Sequence, residues 1–147
     1  MIRPFSLPDL ESILQIESQS FPKSPYDWTT FLSLHYLYPD TFLVCLNTNH
    51  GQKKEKILGY IIFSEDGHII SIAVHPQHRK KRIGAQLLQR ALKTSRSKKV
   101  WAEVRRSNQG AQNFYFKMGF QITGIVPNYY RTEDALIMER VLPLSGE

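Results

Sequence analysis

One stretch of the chain, residues 72–95, constrains the fold most, because three segments of different character follow one another without a break. An apolar segment ends at Val74, a basic run covers residues 78–82, and an amphipathic segment begins at Gly84. This pattern predicts a strand, a loop and a helix in direct succession. A helix N-terminus offers unpaired N–H groups and a partial positive charge, which the basic side chains reinforce. The stretch therefore predicts a site for a polyphosphate ligand.

The same patterning divides the rest of the chain into short strands and helices. Predicted strands cover residues 2–4, 41–46, 57–63, 68–74, 99–104, 121–126 and 135–142, and a polar hairpin loop covers 47–56. Predicted helices begin after Ser6, after Asp27, at Gly84 and after Ser107 or Asn108. The order β-α-α-β-β-β-α-β-α-β-β predicts one α/β domain, 1–147, with a single mixed, mostly antiparallel twisted sheet flanked by helices.

Composition limits the class of protein. The hydrophobic fraction of 41% argues against disorder, and no apolar run reaches the roughly 18 to 20 residues that a membrane helix needs. The first residues lack the pattern of a signal peptide, so we expect a cytoplasmic protein without a membrane partner. The lone Cys45 lies in an apolar run and is expected to be buried. The five histidines lack metal-ligand spacing, so no metal site is predicted.

The charge balance favours an anionic partner. The net charge of +6 suits a nucleic acid, a membrane surface or a phosphorylated cofactor, and residues 78–82 form the densest basic run. Taken alone, such a run is more often a solvated surface. Its place at the start of a helix favours the cofactor instead. It is neither a Walker loop, which needs Gly-Lys-Ser/Thr, nor a dinucleotide fingerprint, which needs three glycines.

Three stretches carry a resemblance to a known family. Arg79, Gly84 and Ala85 match the signature Gln/Arg-x-x-Gly-x-Gly/Ala of the GNAT superfamily of N-acetyltransferases. Residues 101–108 and 114–120 resemble the second half of that family's CoA site. Asn128-Tyr129-Tyr130 and residues 134–138 are similar to the tail of ribosomal-protein alanine N-acetyltransferases and archaeal N-terminal acetyltransferases. The resemblance covers residues 1–142 and is strongest from 72 to 138. It implies transfer of an acetyl group from acetyl-CoA to an amine.

The chain departs from the signature at one position. Arg82 stands where the family has its first glycine. If that position requires a positive φ, the arginine is strained; if it does not, the guanidinium can contact a phosphate in place of the glycine backbone. The sequence leaves these alternatives open.

The resemblance also implies the residues of the acetyl-CoA site. Backbone N–H groups of the strand at residues 72–74 polarise the acetyl carbonyl, and Asn108 hydrogen-bonds the pantetheine arm, although it can also serve only as a helix cap. The implied cofactor residues are Ile72, Ala73, Val74, Arg79, Lys80, Lys81, Arg82, Ile83, Gly84, Ala85, Asn108 and Tyr115.

Two side chains match the family's acid and base. By resemblance, Glu103 is the general base that acts through water, and Tyr115 is the general acid near the sulfur. From the residues alone, Glu103 can instead be a strand carboxylate paired with Arg105 or Lys99. Tyr115 can be a core residue on an apolar helix face. The surrounding matches favour the catalytic roles.

The acceptor is the least constrained part of the prediction. By resemblance to the family, which builds its acceptor groove from the loop after the first helix and the last hairpin, Tyr26, Tyr129 and Tyr130 are candidates for that groove, or equally for core or hairpin packing. The tail and the lower pKa of an α-amine favour the N-terminus of a protein or peptide, including a ribosomal protein. The alternatives are a lysine side chain or small amine, and a non-catalytic module that binds RNA or ribosomes. A nucleic-acid partner is disfavoured, because aromatic residues do not interleave with the basic run.

Overall fold

The computed structural model describes residues 1–47, 56–79 and 81–143, and its helices and strands follow the predicted order. The predicted loop at 47–56 lies largely outside the described residues, and so does Lys80. The helices are α1 (Leu10–Ser20), α2 (Trp28–Leu37), α3 (Ile83–Thr94) and α4 (Gln109–Lys117). The strands are β1 (Ile2–Pro4), β2 (Phe42–Asn47), β3 (Lys56–Phe63), β4 (Ile69–Val74), β5 (Lys99–Arg105), β6 (Gln121–Val126) and β7 (Ala135–Val141).

Local sequence explains where the helices begin and end. The Asp27 carboxylate accepts a hydrogen bond from the Thr30 N–H at 2.9 Å, which caps α2. The Asn108 side chain caps α4 in the same way, through the Ala111 N–H at 3.0 Å. Gly119 follows α4 with φ of 87°, a conformation that residues with a Cβ avoid. The cap predicted at Asp27 is therefore confirmed, and of the two candidates Ser107 and Asn108 it is Asn108 that caps α4.

The α/β class with antiparallel strand pairing is confirmed, but the strands form two sheets rather than the single one predicted. One sheet has the order β1-β2-β3-β4 and the other has the order β5-β7-β6, and all pairs within them are antiparallel. The sheets meet where β4 and β5 begin, through a parallel bridge between His68 and Trp101. Beyond this bridge the two strands separate, so no continuous sheet forms.

The core lies on both faces of the four-stranded sheet, because side chains of β2 and β3 alternate between two buried layers. On one face, Leu43 and Ile61 pack with α3 and with the second sheet. Cys45 belongs to this layer and is 3% exposed, as predicted. On the other face, Phe42 and Tyr60 pack against α1 and α2. None of the described helices is both long and apolar enough to cross a bilayer.

Candidate active site

A cavity of about 740 Å³ opens where β4 and β5 separate. Both strands contribute walls, and the remaining lining comes from the start of α3, from α4 and from the segment that joins α1 to α2. All of the site residues predicted from the sequence line this cavity except Lys81, Tyr129 and Lys80, and Lys80 lies outside the described residues. Fold geometry therefore brings together residues that span positions 26 to 130 of the chain.

One wall of the cavity is β4. This strand is the last of its sheet, so alternate backbone N–H groups point away from β3 and toward β5. Ile72, Ala73 and Val74 all line the cavity. An edge of this kind offers N–H donors to a carbonyl oxygen that lies alongside the strand.

The predicted anion site lies at the end of β4. Arg79 donates from Nε to the Val74 carbonyl and from Nη2 to Ser20 Oγ, both at 3.2 Å, so the basic loop is held against β4 and the end of α1. Ile83, Gly84 and Ala85 form the first turn of α3 and line the cavity. A Cβ on Gly84 would lie 3.2 Å from the Phe114 ring, so glycine allows this close packing of α3 on α4. Lys81 is exposed and does not line the cavity.

The backbone of Arg82 settles whether its position requires a positive φ. Arg82 precedes α3 with φ of 64° and ψ of 17°, in the left-handed region that glycine adopts without strain. Its side chain is exposed but lines the mouth of the cavity. Arg82 therefore has both the strained backbone and a side chain beside the predicted anion site, although these were predicted as alternatives.

Glu103 lies on β5 and faces the opposite wall. Its Oε2 is 2.7 Å from Nε2 of His68, and the His68 ring stacks on Trp101 with centroids 5.1 Å apart. Burial alone would raise the pKa of Glu103, but the hydrogen bond and the electrostatic interaction with His68 outweigh burial, and the pKa lies below its usual value. Among the described residues, the Glu103 carboxylate contacts His68, and Arg105 contacts Glu133 instead, so the alternative pairing of Glu103 with Arg105 or Lys99 is wrong.

Tyr115 lies on α4 and lines the cavity. Its side chain is 4% exposed and packs against the rings of Phe114 and Phe120. Burial raises the pKa of Tyr115, and the negative charge of Glu103 raises it further. The phenol therefore keeps its proton at neutral pH and can donate it to a strong base that forms nearby. Tyr115 therefore packs in the core and also lines the cavity.

The three predicted acceptor tyrosines divide into two groups. Tyr26 and Tyr130 line the cavity near Glu103, while Tyr129 is half exposed and packs edge-to-face on Tyr130 with centroids 4.8 Å apart. Burial raises the pKa of Tyr130 to about 12, and the guanidinium of Arg105 lies 4.1 Å from its ring centroid. Tyr129 therefore supports Tyr130 rather than lining the cavity itself.

Arg105 and Glu133 join the segments around Tyr26 and Tyr130, and this pair was not predicted from the sequence. Arg105 donates to Glu133 at 3.0 Å and to Ser24 Oγ at 2.6 Å, so it connects β5, the β6–β7 loop and the α1–α2 segment. Glu133 also accepts from the Ser107 N–H and hydroxyl, each at 3.0 Å. The Ser107 hydroxyl and then Arg105 lower the pKa of Glu133 to about 2.

The missed residues have little local signal. His68 and Glu103 are 35 positions apart, and Arg105 and Glu133 are 28 apart. Neither spacing is a motif, and only the pairing of β5 with β7 and the bridge to His68 bring these side chains together. Within the described residues, no cluster of three or more metal-binding side chains is present.

Comparisons with known proteins identify a family, relatives and a solved structure that this chain resembles. The profile of the acetyltransferase (GNAT) family matches residues 10–120. An N-alpha-acetyltransferase of Sulfurisphaera tokodaii is 31% identical over 157 residues, which cover 93% of this chain and 90% of that protein. The [ribosomal protein bS18]-alanine N-acetyltransferase of Escherichia coli is 30% identical over 144 residues, with 93% of each chain covered. The crystal structure of Ard1 from Thermoplasma volcanium superposes with a TM-score of 0.82 at 32% identity, covering 97% of both chains.

Proposed function

The chain belongs to the acetyltransferase (GNAT) family and is an acetyl-CoA-dependent N-acetyltransferase, and we propose that its acceptor is the N-terminal α-amine of a protein or peptide. Because the chain belongs to a family of enzymes, family membership argues against the alternative of a non-catalytic RNA-binding module. The observation that carries the proposal is the carboxylate of Glu103, paired with His68, at the end of the cavity where Tyr26 and Tyr130 stand.

The basicity of Glu103 favours an α-amine over a lysine. A carboxylate whose pKa lies below its usual value is a weak base, so the amine must lose its proton readily. The pKa of an α-ammonium is about 8 and that of a lysine ammonium about 10.4, so neutralising the lysine costs about 3.3 kcal/mol more. That difference corresponds to roughly 250-fold in the neutral fraction at pH 7. The names of the two relatives point to the same kind of acceptor.

We assign the cofactor to the β4 wall and the start of α3. The first turn of α3, with Arg79 and Arg82 beside it, would hold the phosphates, and Asn108 would hydrogen-bond the pantetheine arm. The exposed N–H groups at residues 72–74 would hold the carbonyl oxygen of the acetyl group. Lys80 and Lys81 remain predicted contributors to the positive charge of the loop.

The proposed reaction is a direct transfer. The neutral amine nitrogen forms a bond to the acetyl carbon, and the bond between that carbon and sulfur breaks. Glu103 takes the proton of the amine through a water molecule, with His68 holding the carboxylate in place. Tyr115 gives its proton to the leaving thiolate. Tyr26, Tyr129 and Tyr130 form the acceptor groove, with Tyr129 acting through its contact on Tyr130.

A peptide panel tests the acceptor. Each peptide contains one internal lysine and is offered in two forms, one with a free N-terminus and one with a chemically blocked N-terminus. The panel includes the N-terminal sequence of ribosomal protein bS18, because one relative carries that name. We expect transfer to the free form, with the modified nitrogen located by mass spectrometry, and little transfer to the blocked form. Equal transfer to both forms would assign the acceptor to the lysine side chain. Transfer only to small amines would show that the acceptor is a small amine and not a peptide.

A further inference from the structure

A buried glutamate that the proposed chemistry does not use lies beside the acceptor end of the cavity. Glu17 is on α1, is 2% exposed and lines the cavity. Burial raises the pKa of Glu17, which shows how costly this position is for a carboxylate. A buried carboxylate is kept in a fold only where it receives hydrogen bonds. The partners of Glu17 therefore show what it holds together.

Each carboxylate oxygen of Glu17 accepts a hydrogen bond from a different part of the fold. Oε1 accepts the backbone N–H of Tyr26 at 3.0 Å, nine residues along the chain. Oε2 accepts the hydroxyl of Tyr60, a fully buried residue of β3. The Tyr60 hydroxyl is also 2.9 Å from Ser71 Oγ on β4. Because the only hydroxyl proton of Tyr60 goes to Glu17, the proton of this last bond comes from Ser71.

The segment held by Oε1 is the one that carries Tyr26 into the cavity. Residues 21–26 contain two prolines and so cannot extend α1. The Tyr26 ring packs edge-to-face on Phe31, and Phe31 packs edge-to-face on Tyr60, each with centroids 5.7 Å apart. The aromatic contacts and the hydrogen bonds of Glu17 therefore fix the same segment from two sides.

The strand reached through Oε2 is the wall assigned to the acetyl group. Ser71 lies on β4 immediately before residues 72–74, and it lines the cavity itself. The chain of bonds from Tyr26 through Glu17 and Tyr60 to Ser71 therefore connects the acceptor segment to the cofactor wall. Small errors in the relative position of two reacting groups cost large factors in rate.

We propose that Glu17 is a positioning residue of the acceptor site, whose carboxylate fixes the segment carrying Tyr26 relative to β4 and so sets the affinity for the acceptor. The role is geometric, and the charge of the carboxylate is incidental to it. The proposal rests on the acceptor site assigned above.

Two substitutions of Glu17 separate the effect of side-chain length from the effect of charge. Glu17→Asp keeps the charge but shortens the side chain, so the carboxylate cannot meet both the Tyr26 N–H and the Tyr60 hydroxyl. Glu17→Gln keeps the length and an acceptor oxygen for the Tyr26 N–H but removes the charge. Its amide N–H can donate to the Tyr60 hydroxyl, whose own proton then goes to Ser71 Oγ, so both links are kept. We expect Glu17→Asp to raise the acceptor KM about tenfold, and Glu17→Gln to stay within about threefold of wild type. The dissociation constant for CoA should not change in either variant. Glu11→Asp is the matched control, because Glu11 is an exposed glutamate of the same helix.

Hydrogen exchange of the Tyr26 amide measures the contact without any acceptor. Exchange should be faster in Glu17→Asp than in wild type and unchanged in Glu17→Gln and Glu11→Asp. Tyr60→Phe should raise the acceptor KM while the Tyr26 amide stays protected, since only the link to β4 is lost. Loss of function in Glu17→Gln, with function kept in Glu17→Asp, would overturn the positioning role. An unchanged KM and unchanged exchange in Glu17→Asp would overturn it as well. A wild-type enzyme that acetylates no peptide N-terminus would refute the proposed acceptor instead, and the exchange experiment would still decide the role of Glu17.

Discussion

Arg82 offers a sharp test because the structure gives one residue two opposing effects. Its φ of 64° is a conformation that costs a residue with a Cβ about 1–2 kcal/mol. Glycine removes that cost but gains backbone freedom in the unfolded chain, which returns about 0.4–1 kcal/mol. We therefore expect Arg82→Gly to be more stable by roughly 0.5–1 kcal/mol. For a domain of this size the melting temperature should rise by about 1–4 °C.

The same substitution should weaken cofactor binding, because the guanidinium lines the mouth of the cavity beside α3. An exposed cation near a phosphate contributes at most about 1 kcal/mol, so we expect the dissociation constant for CoA to rise up to about fivefold. Calorimetric titration with CoA and thermal unfolding of the free protein measure the two effects separately.

Two control variants distinguish the contributions. Arg131 is also an arginine in the left-handed region, with φ of 62°, and it does not line the cavity. Arg131→Gly should therefore show the gain in stability without the loss of CoA affinity. Arg82→Lys keeps both the strain and a positive charge, so it should change neither quantity much. A melting temperature that stays level or falls in both glycine variants would refute the argument from strain. A full retention of CoA affinity in Arg82→Gly would show that the guanidinium makes no phosphate contact.

The remaining predictions concern charge and proton transfer. Reversing the charges of Arg79 and Lys81 should lower the affinity for CoA more than the affinity for its pantetheine fragment, and equal losses for both ligands would place the phosphates elsewhere. The affinity of the wild-type protein for CoA should also fall as the salt concentration rises. Glu103→Gln should lower turnover by about 10²- to 10⁴-fold with CoA affinity unchanged, and the deficit should shrink as pH rises, because more of the amine is already neutral. Tyr115→Phe should lower turnover most for thioesters with the most basic leaving thiolate, whereas a pure packing role would leave turnover unchanged. The pKa of Glu133 in the folded protein is lowered to about 2, so its ionised carboxylate stabilises the fold above the usual glutamate pKa, and this stabilisation is lost as pH falls toward 2. In acid unfolding, Glu133→Gln should therefore lose less stability over this pH range than wild type does.

Patterns confined to neighbouring residues predicted most of the fold. Val100, Ala102 and Val104 alternate with Trp101 and Glu103 in the sequence, and burial along β5 follows that alternation. The helix caps at Asp27 and Asn108 were predicted correctly, because each depends on side chains within a few residues. The succession of β4, the basic loop and the start of α3 was also predictable, since these segments are consecutive in the sequence, and residues from all three line the cavity.

The acceptor end was less predictable, because its contacts join distant segments. Tyr26 and Tyr130 were identified only through resemblance, and nothing local distinguished Tyr129, which supports Tyr130 from outside the cavity. His68 looked like one of five scattered histidines until the bridge to Trp101 placed it beside Glu103. The hydrogen bonds of Glu17 reach Tyr60, 43 residues away, and no spacing rule describes such a contact.

The one error in the predicted fold explains why a site exists at all. A continuous sheet would pair β4 with β5 along their whole length, and the N–H groups of residues 72–74 that point away from β3 would then bond to β5. In the described residues the two strands are instead joined at their starts, where Trp101 N–H donates to the Gly67 carbonyl at 2.9 Å. A Cβ on Gly67 would lie 2.0 Å from the Lys99 carbonyl oxygen, so only glycine permits this approach. Glu103 follows two residues after Trp101, where the strands have begun to separate but His68 can still reach across. The junction therefore places Glu103, the proposed base, beside an opening whose other wall is an unpaired edge of β4 with N–H donors available to a ligand.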